Sequence, residues 1–284
     1  MSFLEAAILG LIQGLTEFLP ISSSAHLRIV GEFLPSATDP GATFTAITQL
    51  GTETAVIIYF WRDIVRIIGK WFRHFFVGSG AHRDNPIPKG DPDVRLGWLI
   101  IIGTIPIVVV GFLAQEYIRS VFRSLWLVAI VLIVFGIILG IADRLGRKTR
   151  TIEEITYPHG LAIGVAQMLA LVPGVSRSGA TTTMGLALGY TREAAARFAF
   201  LLAIPAVFGS GLYELVHSFG EPEGHYGYAE TALATVIAFG VGLGVIAFLM
   251  RWLQTRSFLP FVIYRLVLGG ALIVLLALGV LQPY

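Results

Sequence analysis

The sequence predicts an all-α polytopic membrane protein: six transmembrane helices plus two re-entrant helix–loop–helix units, arranged as an inverted-topology repeat. Three observations predict it. The 284-residue chain is 55% hydrophobic and 13% charged, with a mean hydropathy of +0.78. Several stretches carry no Asp, Glu, Lys or Arg over about the 20 residues that a bilayer crossing requires. Two helix-breaking segments recur 154 residues apart, matching Gly10 with Gly164, Gln13 with Gln167, Ser22 with Ser176, Ser24 with Ser178, and Phe44 with Phe198.

The elements follow in order. Residues 1–34 hold two apolar pieces on either side of Pro20-Ile-Ser-Ser-Ser, each too short to span. They read as a re-entrant hairpin, because broken backbone is tolerated at membrane depth only where protein or a wet cavity satisfies its amides. The first piece carries Glu5 and Glu17, lacks a basic start and runs into Pro20, so it does not read as a cleavable signal. Pro40–Trp61, with Glu53 inside it, reads as the first span. Asp63–Phe76 alternates basic and apolar faces at helical spacing and reads as an interfacial helix, followed by a Gly/Pro/Asp-rich loop over Gly78–Asp93. Leu96–Gln115 and Ser124–Ala142 read as the next two spans. Residues 157–190 repeat the re-entrant design around Pro173-Gly174, and Phe198–Tyr213, Thr231–Met250 and Leu266–Tyr284 complete the six. Pro106 and Pro205 are expected to kink their helices. Gly240, Gly242 and Gly244 are expected at close helix contacts. The whole is one membrane domain over 1–284, with repeat 1 at 1–145 and repeat 2 at 146–284.

Three spans per repeat is an odd number, so the second repeat must be inverted. With the Arg62–Arg95 loop in the cytoplasm, sixteen Lys and Arg fall on that side, including Arg147, Arg197 and Arg265; Arg28, Arg119 and Arg123 fall outside, and Arg177 is left within the membrane. This is the expected positive-inside asymmetry, and the acidic His217–Tyr228 loop (Glu221, Glu223) belongs outside. The two re-entrant tips can then meet at mid-depth, the first entering from the outer side.

The chain has no cysteine, which excludes disulfides, thiolate metal sites and cysteine nucleophiles. The net charge is +2 and the pI about 9.0, with no aromatic-interleaved basic patch, so nucleic acid is not an expected partner.

The chemistry concentrates at the two breaks. Gln13 and Glu17, four residues apart, share a helix face just before Pro20. Ser22, Ser23, Ser24 and His26 begin the next half-helix, as Ser176, Arg177, Ser178 and Thr181 do after Pro173-Gly174. Helix starts at mid-membrane present unpaired N–H groups to the cavity, and a guanidinium adds a fork suited to phosphate. The set reads as a phosphate or diphosphate site. Glu17 would repel such a ligand unless it acts as a base or a divalent cation (Mg²⁺ or Ca²⁺) lies between them, with Gln13 as a second ligand. A serine hydroxyl could attack phosphorus with His26 shuttling the proton, while any of the three serines could instead be an N-cap.

Gln13-x-x-x-Glu17 followed by Phe-Leu-Pro-Ile-Ser-Ser-Ser-Ala-His26, together with Pro173-Gly-Val-Ser-Arg-Ser-Gly-Ala-Thr181 and Phe198-Ala-Phe-Leu-Leu-Ala-Ile-Pro205, resembles the undecaprenyl-diphosphatase family, also called the bacitracin-resistance protein family. The resemblance implies a multi-pass enzyme of the bacterial inner membrane that converts undecaprenyl diphosphate to the monophosphate carrier lipid for peptidoglycan synthesis. It implies dependence on Mg²⁺ or Ca²⁺ and roles for Gln13, Glu17, Ser23 (as nucleophile), His26, Ser176 and Arg177. Many members carry Glu at the position of Gln13, so this chain has one negative charge fewer there. The expected partners are the lipid and the membrane; a homodimer is left open.

A different class of function, a flippase for the polyprenyl phosphate, uses the same broken-helix architecture, and an anion channel is a third option. Gln49 and Glu53 are second-tier candidates for the cavity wall, and Gln167 is expected to hydrogen-bond its half-helix. His74, His82, Asp84, Asp91 and Asp93 are expected on a solvated surface rather than around a metal.

Overall fold

The computed structural model describes residues 2–34, 40–77, 87–88, 90–114, 124–219 and 227–283. Arg83, Lys89, Arg119, Arg123, Glu221 and Glu223 of the charge argument, and His82 and Asp84, lie outside them.

Ser2 caps α1 (Phe3–Thr16) in a reciprocal capping box with Glu5, and α1 stops before Pro20; α2 (Ser23–Phe33) starts three residues after that proline. At 14 and 11 residues, neither can cross a bilayer. The pair α7 (Tyr157–Met168) and α8 (Arg177–Ala187) repeats the pattern with 12 and 11 residues. The longer helices are α3 (Gly41–Tyr59), α5 (Pro92–Leu113), α6 (Leu125–Leu145), α9 (Arg192–Ser218), α10 (Tyr228–Leu253) and α11 (Leu259–Ala277). The chain is a multi-pass membrane protein: five of these six are long and apolar enough to cross. The sixth, α3, has 19 residues but carries five threonines, Gln49 and Glu53; Gln49 lines a cavity, while Thr45, Thr48, Thr52 and Thr54 donate to carbonyls of their own helix.

The two halves pack reciprocally. α1 lies against α10, as α7 lies against α5; α3 meets α9, and α6 meets α11. The α1–α10 and α7–α5 crossings are backbone-close. A methyl at Gly10 would sit 2.5 Å from the Ala234 carbonyl oxygen, and one at Gly164 would sit 2.4 Å from that of Gly103. Without a hydrophobic drive between helices in lipid, such small-residue contact is what holds them. Of the glycine triplet on α10, only Gly242 packs closely, against Phe18; Gly240 and Gly244 face open space, since residues two apart cannot share a helix face.

The amphipathic helix α4 (Trp61–Phe72), continued by a π-turn over Arg73–Val77, marks one end of the bundle. Arg66 and Lys70 bind Asp93 at 3.0 and 2.8 Å, and Arg197 of α9 binds Asp63 at 2.5 Å. Asp91 and Asp93 are therefore buried ion-pair partners rather than solvated, and Asp91 also N-caps α5. The hydrogen bonds that Lys70 donates to Asp93 and then Asp91 raise the pKa of its ammonium above the ordinary value. Near the same end Arg192 reaches Asp143, whose other oxygen accepts the Phe258 amide.

Two arginines of the charge count are buried, and one of them lies elsewhere than expected. Arg28 is buried on α2, paired with Glu32. Arg265, expected on the cytoplasmic flank, is completely buried inside α11, which begins seven residues earlier than the charge-free stretch indicated. Its charge is tolerated because protein carbonyls take its N–H groups.

Candidate active site

The broken ends of the two short helix pairs, α1–α2 and α7–α8, meet. Glu17 closes α1, and Ser22 and Ser176 cap α2 and α8. Both serines hold a left-handed backbone, φ 73° and 72°, and each hydroxyl accepts the amide three residues on, Ala25 or Gly179. A non-glycine residue pays for that conformation, so its occurrence at equivalent positions marks two turns held by their surroundings.

Glu17 is the hub. One carboxylate oxygen accepts the Ser23 hydroxyl at 2.5 Å and the Gln13 amide at 2.7 Å; the other accepts the Arg177 guanidinium at 2.5 Å. Glu53, buried in α3, stands 3.7 Å from the same guanidinium and does not snorkel. Arg177 thus faces two carboxylates while staying partly open to a cavity of about 530 Å³. Glu17, Ser22, Ser23, Ser24, Ser176 and Arg177 line its polar floor.

Above that floor the wall comes from the start of α3 (Ala42, Ala46, Gln49), the end of α5 (Ile107, Phe112) and the second half of α9 (Pro205, Tyr213, Glu214). The opposite ends of these three helices abut α4, through Phe60, Asp93 and Arg197. The cavity therefore lies toward the ends of these helices remote from the amphipathic helix.

Other expected site residues fall beside the cavity. Ser178 reaches the carbonyls of Glu17 and Leu19 at 3.4 and 3.3 Å and ties α8 to the end of α1, while Thr181 donates to the Arg177 carbonyl of its own helix. His26 does not reach Ser23. Nδ1 meets the Ser22 carbonyl, so it carries the proton, and Nε2 meets the Tyr264 hydroxyl, both at 2.7 Å. Gln167 is fully buried with neither amide atom bonded among the described residues, contrary to expectation. The 154-residue self-match accounts for it: where Gln13 has Glu17 one turn on, Gln167 has Leu171.

Residues 6–271 match the family described as Bacitracin resistance protein BacA. The chain belongs to the BacA family. Among its relatives, the undecaprenyl-diphosphatase of Micrococcus luteus is 62% identical over 99% of this chain and all of its own length. The one from Clavibacter michiganensis is 63% identical over 98% of each chain. Undecaprenyl-diphosphatase 2 of Agrobacterium fabrum is 54% identical over 99% of this chain and 98% of its own.

In this BacA-family chain, sequence reasoning missed the placement of Tyr264 and Arg265; of its two second-tier residues, Gln49 lines the cavity and Glu53 lies buried 3.7 Å from Arg177. All four sit outside the two motifs. Glu53 had one usable signal, an acid within a span, which is functional by default. Arg265 had the same signal, hidden because the apolar stretch was read as starting after it.

Proposed function

We propose that this protein hydrolyses the phosphoanhydride of undecaprenyl diphosphate, releasing phosphate and the monophosphate carrier lipid. The observation that carries the reading is the Ser23–Glu17–Arg177 chain, a nucleophile on a base beside a phosphate-matched guanidinium, at the floor of a cavity lined by apolar helices.

The groups allow a balanced sequence. The terminal phosphoryl enters at the helix starts and competes with Glu17 for Arg177. Released from that pair, Glu17 takes the Ser23 proton as Oγ attacks the terminal phosphorus. The bridging P–O bond breaks and its electron pair leaves with the lipid monophosphate. Glu17 passes that proton to the departing phosphate oxygen. Water, giving a proton to the freed carboxylate, then attacks the phosphorus. The Ser23–P bond breaks with its electron pair on Oγ, which takes the proton back from Glu17. Arg177 and the positive dipole ends of the two helix starts take the charge that develops on the transferred oxygens. His26 fixes the Ser22 turn through its carbonyl.

Ser22, Ser24 and Ser176 serve as donors to the substrate. Ser178 and Thr181 stiffen the second helix start.

The donor chemistry suits a divalent cation. Gln13 Oε1 and Glu53 Oε1 are buried and unpartnered among the described residues, beside the Glu17 carboxylate. No cluster of three His, Asp or Glu exists among the described residues to cage a metal alone. That fits a cation held by one or two carboxylates and completed by substrate phosphate. When bound, it would neutralise charge between Glu17 and the diphosphate.

The reciprocal packing and the paired left-handed serines support an internal duplication, 1–145 and 146–284, in inverted orientation. With the basic α4 end in the cytoplasm by the positive-inside rule, the cavity opens to the outer side, where phosphate leaves.

The test is phosphate release from undecaprenyl diphosphate by purified protein, with and without EDTA, in wild type and Arg177→Ala. Turnover in wild type, lost in the variant, is expected; wild-type protein without turnover would sink the reading. Glu17→Gln separates it from lipid flipping, since a flippase would keep moving the monophosphate lipid.

A further inference from the structure

We propose that Arg265 is a positioning residue for phosphoryl transfer: one buried guanidinium on the last helix holds both re-entrant loops and so sets the two helix starts that receive the diphosphate. The inference rests on the phosphatase reading and extends it to a residue outside both motifs.

A guanidinium has five N–H donors. Arg265 is 0% exposed and makes five hydrogen bonds, all to backbone carbonyls. Nε and Nη2 reach Leu132 and Val131 of α6 at 3.0 and 3.4 Å. Nη1 binds Pro20 and Val175 at 3.0 Å each, and Nη2 binds Gly174 at 2.8 Å.

Pro20 and Gly174 are equivalent at the 154-residue offset. A single side chain thus takes the matching carbonyl from each half, two residues before Ser22 and Ser176. Those are the serines with left-handed backbone.

The trans peptide is planar, with its C=O and N–H pointing oppositely. Binding the Val175 carbonyl therefore turns the Ser176 N–H away from Arg265. The Gly174 amide in turn donates to Ser22 Oγ at 3.2 Å, locking one loop onto the other. Glu17 and Ser23 flank the first loop and Arg177 follows the second. Their 2.5 Å contacts depend on the relative placement of the loops that Arg265 fixes.

A residue that only adds stability would change the amount of folded protein, not the turnover of each folded molecule. Arg265→Lys keeps the charge but loses the fork. Gly136→Ala disturbs Arg265 without removing it, because the added methyl would lie 3.2 Å from Arg265 Cβ. Gly240→Ala, whose methyl meets nothing within 4 Å, is the control.

The readouts are thermal unfolding and kcat per folded molecule for phosphate release in lipid nanodiscs. The expected result is at least about a tenfold fall in kcat for Arg265→Lys, since ångström-scale misplacement costs up to about 10²-fold. A smaller fall, roughly threefold, is expected for Gly136→Ala on the same principle, with KM and unfolding temperature little changed and Gly240→Ala at wild-type rates. If Arg265→Lys does not fold, Gly136→Ala decides. Wild-type kcat in the folded variants, or lower stability with kcat retained, overturns the proposal. A wild type without turnover overturns the phosphatase reading instead.

Discussion

Glu17 and Arg177 lie 160 residues apart in the chain and 2.5 Å apart in space. One ends the first half-helix and the other begins the last half-helix of the second unit, so their contact requires both breaks at the same depth. Breaking a buried pair leaves an uncompensated charge, and in the proposed reaction each partner also has a task.

Arg177→Ala should therefore cost about 10²–10³ in kcat, the size seen when one stabilising donor is removed. Glu17→Gln should cost at least as much. The double variant should lose little more than the worse single one, because groups acting as a unit are not additive. Steady-state phosphate release measures all three; additive losses would show that the two residues work independently.

The three serines separate by partner. Only Ser23 donates to Glu17. Ser22 is a cap that also receives the Gly174 amide, and Ser24 meets Ser22 at 3.2 Å at the cavity wall. Ser23→Ala should abolish turnover while leaving thermal stability near wild type. Ser22→Ala should lower stability by about 1 kcal/mol, the usual worth of an N-cap, with a partial loss of rate. Ser24→Ala should raise KM more than it lowers kcat. Ser23→Ala with wild-type kcat would remove the nucleophile from the mechanism.

Much of this was legible in the sequence because membrane physics leaves few options. Charge-free runs, prolines inside apolar pieces and the 154-residue self-match located the breaks, and the broken pieces carried Gln13, Glu17, Ser23 and Arg177. The parts that were not legible share one cause. Arg265 and Tyr264 act through backbone carbonyls and a ring nitrogen supplied by distant segments, and no local spacing encodes such partners. Gln167 shows the converse: a residue matched by the repeat has no bond when its neighbour's match, Leu171, is apolar.

Tyr264 tests the assignment of His26. Both ring nitrogens of His26 are engaged away from Ser23, and the two rings stack with centroids 5.5 Å apart. Tyr264→Phe should keep the stacking, cost about 1 kcal/mol in stability for one lost hydrogen bond, and leave the pH profile of kcat unchanged. A displaced profile would put His26 in the proton path after all.

Metal dependence should track Glu53 as well as Glu17. Glu53 stands 3.7 Å from the guanidinium that Glu17 binds, and its other oxygen is buried and unpartnered among the described residues. Glu53→Gln should raise the Mg²⁺ concentration for half-maximal phosphate release by roughly tenfold, the lower end for a change near a metal. An unchanged metal titration would leave Glu53 only as a second partner for Arg177.

The reciprocal helix crossings give a prediction about assembly that activity does not enter. The Gly164–Gly103 approach leaves no room for a Cβ, whose nearest contacts would be backbone atoms at 2.4 and 2.5 Å. Backbone cannot swing aside as a side chain can, so α7 would have to separate from α5 along their crossing. Gly164→Ala should then destabilise by several kcal/mol, in the range reserved for overpacked or strained sites. Gly10→Ala should do the same to the α1–α10 crossing, where the nearest atoms are the Ala234 oxygen and Cα at 2.5 and 2.7 Å. Gly209→Ala, with nothing within 4 Å of its added methyl, should be tolerated. Thermal unfolding in one detergent compares the three. Equal stability of all three variants would mean that the two crossings are looser than backbone contact, and with them the reciprocal packing that brings the two helix breaks together.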